Sequence, residues 1–382
     1  MKNNFTKPTL AAAVLLSSFI LHPASLLGQG SLTPSGAPAP TMKTLAQIEA
    51  RTPVDAINTP GNASEQFIIT QPGSYYLTGD ISGVTGKDGI SIQTNDVTLD
   101  LNGFAMTGAS APGNGITVSG SGMVNIVIRN GTMRNWSNGV LDLNGYCELE
   151  RLRIYACQYD AGNGIYIGDH CVVKNCSAIY NSGAGIQVGN DCVLTDCLVC
   201  SNSVGIFGLE GCVLNDCHAT TNVVSINVED NFDISHCTAD LNAHGFSVGN
   251  NGRIRGCLAC ANTYIGITAQ AGVNVSECTA DGNGGSGILI EASSGDSVVI
   301  DNHVAGNGLD GIASFGTGNR IEHNKATSNG GHGINSVGGS GADIIVRNTC
   351  SGNSAGNYTP TSGTTFAPIQ TPATATNSFA NF

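Results

Sequence analysis

The chain has 382 residues, of which 52 are glycine, 11% are charged, 5% are aromatic and one is tryptophan, Trp136. Sparse Lys, Glu and Leu runs leave little material for amphipathic helices, whereas Gly, Asn, Ser, Thr and Val suit short strands joined by tight turns. The net charge of −13 repels phosphate backbones and anionic membrane surfaces, which excludes nucleic acid as a partner.

Taken in chain order, Lys2 and Lys7 bracket the start of an uncharged apolar run at 10–21, and Gly28 and Gly30 offer small residues for cleavage. Residues 1–30 therefore read as a cleaved secretory signal whose apolar run is too short to span a bilayer comfortably, with an uncleaved anchor as the alternative. Export to the periplasm, cell surface or medium is expected, with no membrane span once the signal is removed. Residues 31–60 read as a linker, SLTPSGAPAP followed by one short helix over 41–50. Segments 67–70 and 75–77 flank the turn signal Gln71-Pro72-Gly73 and are expected to cap the first coil.

A small residue followed by an apolar one then recurs. It stands at Gly89-Ile90, Gly115-Ile116, Gly139-Val140, Gly164-Ile165, Gly185-Ile186 and Gly205-Ile206. It continues at Ser225-Ile226, Gly245-Phe246, Gly266-Ile267, Gly287-Ile288, Gly311-Ile312 and Gly333-Ile334, with spacings of 20 to 26 residues. Inside one period the apolar residues alternate in pairs, Ile186/Val188, Cys192/Leu194 and Cys197/Val199, separated by turn residues. Neither a leucine consensus nor a helical segment is present. The pattern predicts an all-β, right-handed parallel β-helix solenoid over residues 61–357, with about 12 coils of 20–26 residues and three short strands per coil. The Ser/Thr/Pro-rich tail, 358–382, is expected to pack on or beyond the last coil through Phe366, Ile369, Phe379 and Phe382.

Two columns support the register. Asparagine recurs at 181, 202, 222, 242, 262, 283, 307, 329 and 353, as expected of amides stacked up a ladder. Cysteine recurs at 176, 197, 217, 237, 257 and 278, with Asn302, Asn324 and Asn348 continuing the file, and a second file holds Cys147, Cys171, Cys192 and Cys212. Ladder neighbours sit ~4.8 Å apart with parallel Cβ vectors, poor geometry for a disulfide, so the fourteen cysteines are expected to be mostly free thiols, with some bridges as the alternative. The pairs Cys197-Cys200 and Cys257-Cys260 lie three coils apart and cannot share a zinc ion.

The segments APTMKTLAQIEARTP, QPGSYYLTGDI, NDVTLDLNGF and NSFANF resemble those of uncharacterised exported bacterial right-handed β-helix repeat proteins, over residues 37–382. The resemblance implies the pectate-lyase-like superfold, shared by pectate lyases, polygalacturonases, alginate epimerases and phage tailspikes. It implies no single activity, because that fold carries catalysts and inert scaffolds alike. The polygalacturonase signatures are missing; Arg253-Ile254-Arg255 comes closest but lacks the preceding Asp pair. No clustered aspartates beside an arginine, as in pectate lyases, and no Met/His copper cluster are found.

Two groups of residues are candidates for function. Eleven places after the repeat residues Gly164, Gly185, Gly205, Ser225, Gly245 and Gly266 stands a column of Asn175, Asp196, Asp216, His236, Gly256 and Glu277, to which alignment of the preceding coils adds Arg151. Asp196 and Asp216 should be neighbours ~4.8 Å apart, with His218 near Asp216. Asp196, Asp216, His218 and His236 form a candidate acid/base set for glycoside chemistry, with calcium as the candidate cofactor, or else a solvated bend. The second group mixes Trp136, Tyr146, Tyr155, Tyr159, Tyr166 and Tyr180 with Arg129, Arg134, Arg151, Arg153 and Lys174. Aromatic faces stack on sugars and arginine forks grip carboxylates, so Arg151, Arg153, Tyr155 and Tyr166 are candidate ligand-binding residues, with packing of the wider early coils as the alternative. The favoured reading is a scaffold that contacts a polysaccharide or cell-surface glycan without catalysis. A polysaccharide lyase, epimerase or hydrolase and a purely structural surface protein are the alternatives.

Overall fold

The structure, a computed structural model, describes residues 50–291, 295–337, 343–359, 364–370, 377 and 379–382. The expected signal, the proline-rich linker and all but the last residue of the expected helix lie outside them.

The described residues form forty strands and no helix. Each coil has three faces, represented by Ala184–Val188, Val193–Thr195 and Leu198–Cys200. First-face strands stack into one 14-stranded sheet, and the second and third faces are joined in a 26-stranded sheet. Strands pair in parallel with their counterparts one coil away, as in Ile186↔Ile206, Leu194↔Leu214 and Val199↔Ala219. The chain is thus a parallel β-helix, right-handed by the crossover rule for parallel strands.

There are fourteen first-face strands, two more than the repeat signature marks. Phe67 pairs with Ile90 at the start and Tyr358 with Ile334 at the end, so both occupy the apolar repeat position. The residues before them are Gln66 and Asn357, not glycine. A Cβ at a repeat glycine would meet the carbonyl of the following coil, as Gly333 would meet Asn357, and among the described first-face strands none pairs beyond Asn357. Thr52–Pro53, which composition assigns to the linker, already pairs in parallel with Tyr75–Tyr76.

The core is a contiguous apolar file from Val54 to Cys350, one to three residues per face. Where it meets the corner between third and first faces it turns polar. Asn242 accepts the Asn222 backbone N–H at 2.8 Å and its side-chain amide at 3.1 Å, then donates its own amide to Asn262 at 3.2 Å. The same chain of bonds runs unbroken from Asn181 to Asn353, all but its last member buried. At the next corner the cysteine file passes into a second ladder, with the Cys278 N–H on Asn302, then Asn302 to Asn324 and Asn324 to Asn348.

That second ladder is completed by the terminal peptide. Asn381 accepts the Asn348 N–H at 2.9 Å and donates to the carbonyls of Ile345 and Ala367. Thr365–Phe366 adds a rung under Ile344–Ile345, and Tyr358 Oη donates to the carbonyls of Asn348 and Phe382. Phe366 packs against the core, whereas Ile369 and Phe379 stay exposed, so backbone and amide bonds, more than apolar burial, close this end.

Replacing Asn242 with Ala strands the buried Asn222 N–H and takes away the amide that Asn242 gives to the Ala219 carbonyl, while the Asn222 amide keeps the Val199 and Thr220 carbonyls. An unsatisfied buried group costs about 1–3 kcal/mol. Urea unfolding of Asn242→Ala is expected to show a loss of about 3 kcal/mol; Asn242→Leu should do no better, since the Asn222 N–H still lacks its acceptor.

Candidate functional site

Each corner of the triangle is made by one residue in left-handed backbone. Between second and third faces that file is Asn130, Arg151, Asn175, Asp196, Asp216, His236, Gly256, Glu277, Asp301, His323 and Arg347, with φ between +52° and +61°. Gly, Asn and Asp tolerate this region best, and it forces the side chain outward, off the line of the strand. The N–H groups of Asp196, Asp216 and His236 continue the ladder to the carbonyls of Asn215, Ser235 and Arg255. The carboxylates of Asp196 and Asp216 are exposed and make no hydrogen bond or ion pair among the described residues.

His218 does not meet Asp216. Two places past the corner the chain is already on the third face, where His218 stacks between Leu198 and Thr238. Its Nε2 reaches Asp240 Oδ1, one coil further on, at 2.8 Å. Among the described residues no three His, Cys, Asp or Glu side chains converge to hold a metal ion.

The second group is held mainly by one long strand, Cys147–Tyr155, which runs through the second face, the corner at Arg151 and the third face without interruption. Alternation along its last stretch buries Leu152 and Ile154 and turns Arg153 and Tyr155 outward. One coil earlier, Thr132 and Arg134 stand in register with Arg153 and Tyr155. Arg153 Nε donates to Thr132 Oγ1 at 3.3 Å, and Arg134 Nε donates to Thr107 Oγ1 at 2.9 Å. Each guanidinium is thereby braced from the preceding coil, and neither has a carboxylate partner among the described residues.

The surrounding cations are already matched. Arg151 binds Asn130 Oδ1 at 2.7 Å and Glu150, Lys174 binds Glu148 at 3.0 Å, and Arg129 binds Asp100 at 3.2 Å. Burial of Asp100 disfavours its charge, but the Asn102 N–H, the Asn130 amide and the Arg129 guanidinium outweigh it and hold the carboxyl below the usual carboxylate range.

Beside Arg153 lies a depression of about 310 Å³ lined by Asn130, Gly131, Arg151 and Asn175. A second, of about 440 Å³, is lined by Asn135, Ala156, Gln158 and Tyr159. Tyr155 lies in sequence between Arg153 of the first and Ala156 of the second, its ring edge-on to Tyr180 at 5.6 Å. The structure thus brings together Arg151, Arg153 and Tyr155, and adds Arg134, Tyr159 and Tyr180.

Tyr166 does not join them. It lies on the first face between Leu141 and Gln187, because the segment from Ala156 to Asn163 carries the chain round a corner first. Trp136 is fully buried, its Nε1 donating to the Met106 carbonyl, and Tyr146 stacks on His170 at another corner. Arg134 was legible as a partner of Tyr155 by its 21-residue offset, and Asp240 as a partner of His218 by its 22-residue offset.

With this geometry in place, the chain stands as a right-handed parallel β-helix protein. Residues 209–355 match the family described as "Right handed beta helix region". Among solved structures it is similar to two Azotobacter vinelandii mannuronan C-5 epimerase A-modules. The AlgE4 module is 16% identical, with 77% of this chain and 90% of that one covered and a TM-score of 0.54. The AlgE6 module is 16% identical, with 78% and 92% covered and a TM-score of 0.53. The periplasmic alginate epimerase AlgG is 11% identical, with 73% and 77% covered and a TM-score of 0.50. At such identities the likeness is one of fold. No curated protein matches the sequence significantly.

Two outcomes follow from the corner and from Asp100. Asp216→Val, a β-branched residue at φ +53°, should cost about 1–2 kcal/mol in urea unfolding, whereas Asp216→Gly should cost nothing. The Asp100 contribution is complete above the unfolded carboxyl value of about 3.9 and is lost as pH falls through the lower folded value. Asp100→Asn should therefore melt below the wild type near neutral pH, and thermal melts should converge in acid once the pH has fallen below the folded carboxyl value.

Proposed function

We propose that this protein is an exported β-helix that binds an anionic polysaccharide or cell-surface glycan along the third face around Arg134, Arg153, Tyr155 and Tyr180, without catalysis. The observation that carries the reading is the pair of threonine-braced guanidiniums with no carboxylate partner among the described residues, set beside an exposed tyrosine pair. Guanidinium forks match carboxylate or sulfate groups, and the tyrosine rings supply faces for sugar C–H groups. The two shallow depressions suit an extended chain better than a compact small molecule. The similar solved structures are named as epimerases of mannuronan and alginate, and that chemistry agrees with an anionic glycan here.

Binding to uronate-containing and neutral polysaccharides, with calcium present and absent, tests the reading. The protein should bind uronate polymers, more weakly as salt rises, and Arg134→Ala and Arg153→Ala should each weaken binding about tenfold. Tyr155→Ala should weaken it too, while Asp216→Ala should not. Undiminished binding by the Arg134/Arg153 double variant would remove the site. An enzymatic reading rests on the His218–Asp240 pair, which shares the third face. It would take over if new reducing ends, unsaturated products or epimerised residues appeared and were lost in His218→Ala and in Asp240→Ala.

A further inference from the structure

All fourteen cysteines are free thiols, twelve of them buried, and only Cys200 and Cys260 half-emerge. The ladder argument makes in-register cysteines poor partners, yet thiols within the files meet. Cys147 and Cys171 approach Sγ to Sγ at 3.1 Å, while the thiols of other steps, among them Cys171–Cys192 and Cys197–Cys217, also interact. The backbone bonds repeat from step to step: the Cys147 N–H rests on Cys171 Sγ at 3.5 Å and the Cys171 N–H on Cys192 Sγ at 3.3 Å.

Beside the Cys147–Cys171 pair is an irregularity. Asp142 projects into the apolar interior from the strand Val140–Asp142, in register between Val118 and Ile167. It is fully buried, and while Oδ1 accepts the Asn144 N–H at 2.9 Å, Oδ2 has no hydrogen-bond partner. The Cys171 contact favours the Cys147 thiolate, but burial and the nearby Asp142 carboxylate outweigh it and hold that thiol above its ordinary value. Burial raises the Asp142 carboxyl above its ordinary value, toward that of a thiol, despite the Asn144 bonds. Elsewhere in the interior, where no carboxylate stands near, burial alone pushes the Cys157 thiol up to about 12 and leaves it inert.

We propose that Cys147 and Cys171 are a redox pair that closes into a disulfide between adjacent coils, with Asp142 Oδ2 taking the Cys147 proton. The oxidant is a small or protein disulfide. Cys147, the more accessible of the two, gives its proton to Asp142, and its sulfur attacks the oxidant disulfide, releasing one thiolate that takes up that proton. Cys171 then loses its proton and attacks Cys147 Sγ, forming the Cys147–Cys171 bond and releasing the second thiol. Two cysteine thiols are oxidised by two electrons, one disulfide is reduced, and both protons leave on the released thiols. The bond spans 24 residues and locks the start of the strand that carries Arg151, Arg153 and Tyr155.

The test uses the full chain equilibrated with oxidised glutathione, acid-quenched, denatured and alkylated, then mapped by peptide mass spectrometry. The expected product has a Cys147–Cys171 crosslinked peptide and alkyl groups on the other cysteines, with reduction restoring alkylation at all fourteen. The oxidised form should melt on the order of 5 °C higher than the reduced form. Full alkylation after oxidation, or a bond between any other pair, would overturn the proposal; this readout does not depend on any variant folding. Asp142→Asn, which keeps the acceptor for Asn144, should give the same crosslink at least tenfold more slowly. An unchanged rate would remove Asp142 from the reaction.

Discussion

Parallel, in-register stacking obliges each side chain to meet its own counterpart directly above and below, one rung away. A polar group inside such a stack has partners only if the neighbouring coils repeat it, and asparagine satisfies the condition because its amide both donates and accepts. From Asn181 to Asn353 each oxygen takes the backbone and side-chain N–H of the coil before it. The repeat glycine belongs to the same constraint. A Cβ on Gly185 would stand 2.7 Å from the Asn202 amide, and one on Gly245 would stand 2.1 Å from the Gly266 carbonyl. Ser225, the exception among the twelve repeats from Gly89 to Gly333, accommodates its side chain with a buried hydroxyl that has no hydrogen-bond partner.

Outward columns are under no such obligation, and there the coils differ. Third-face positions read Arg153, Ser177, Leu198, His218, Thr238 and Leu258 over successive coils. The early coils are also longer; in the Gly115 coil the extra residues lie between Val118 and Ile126, and in the Gly139 coil they lie between Tyr155 and Ile165, at the corner between third and first faces. Asn135, Ala156, Gln158 and Tyr159 gather there, so the depression beside Tyr155 is a consequence of coil length. Recognition chemistry is therefore carried where the repeat is least regular.

Inward positions could be read from sequence because periodicity reports them. The files of Asn, Cys and Ile are spaced at one coil and occupy the interior as their spacing requires. The acid/base column Asp196, Asp216 and His236 was also found by periodicity, but its common feature is left-handed backbone at a corner, a property shared with Asn175, Gly256 and Arg347. His218 and Tyr166 were misplaced for a related reason. Position along the repeat says how far round the coil a residue lies, but small advances carry it past a corner, to Asp240 in one case and to another face in the other.

The sequence alone determined the parallel solenoid, its three faces, its interior amide files and its acidic exterior, because a repeat of 20–26 residues admits one way to superpose like residues. Tertiary structure decided what periodicity does not encode. It showed which arginines are neutralised by neighbours, which tyrosines share a face, and how Asn381 extends the second ladder from the far end of the tail. It also set Asp142 beside Cys147, one of a file of equivalent positions. These depend on rotamers and on side-chain reach between coils, where a few ångströms separate a bonded group from an unpartnered one.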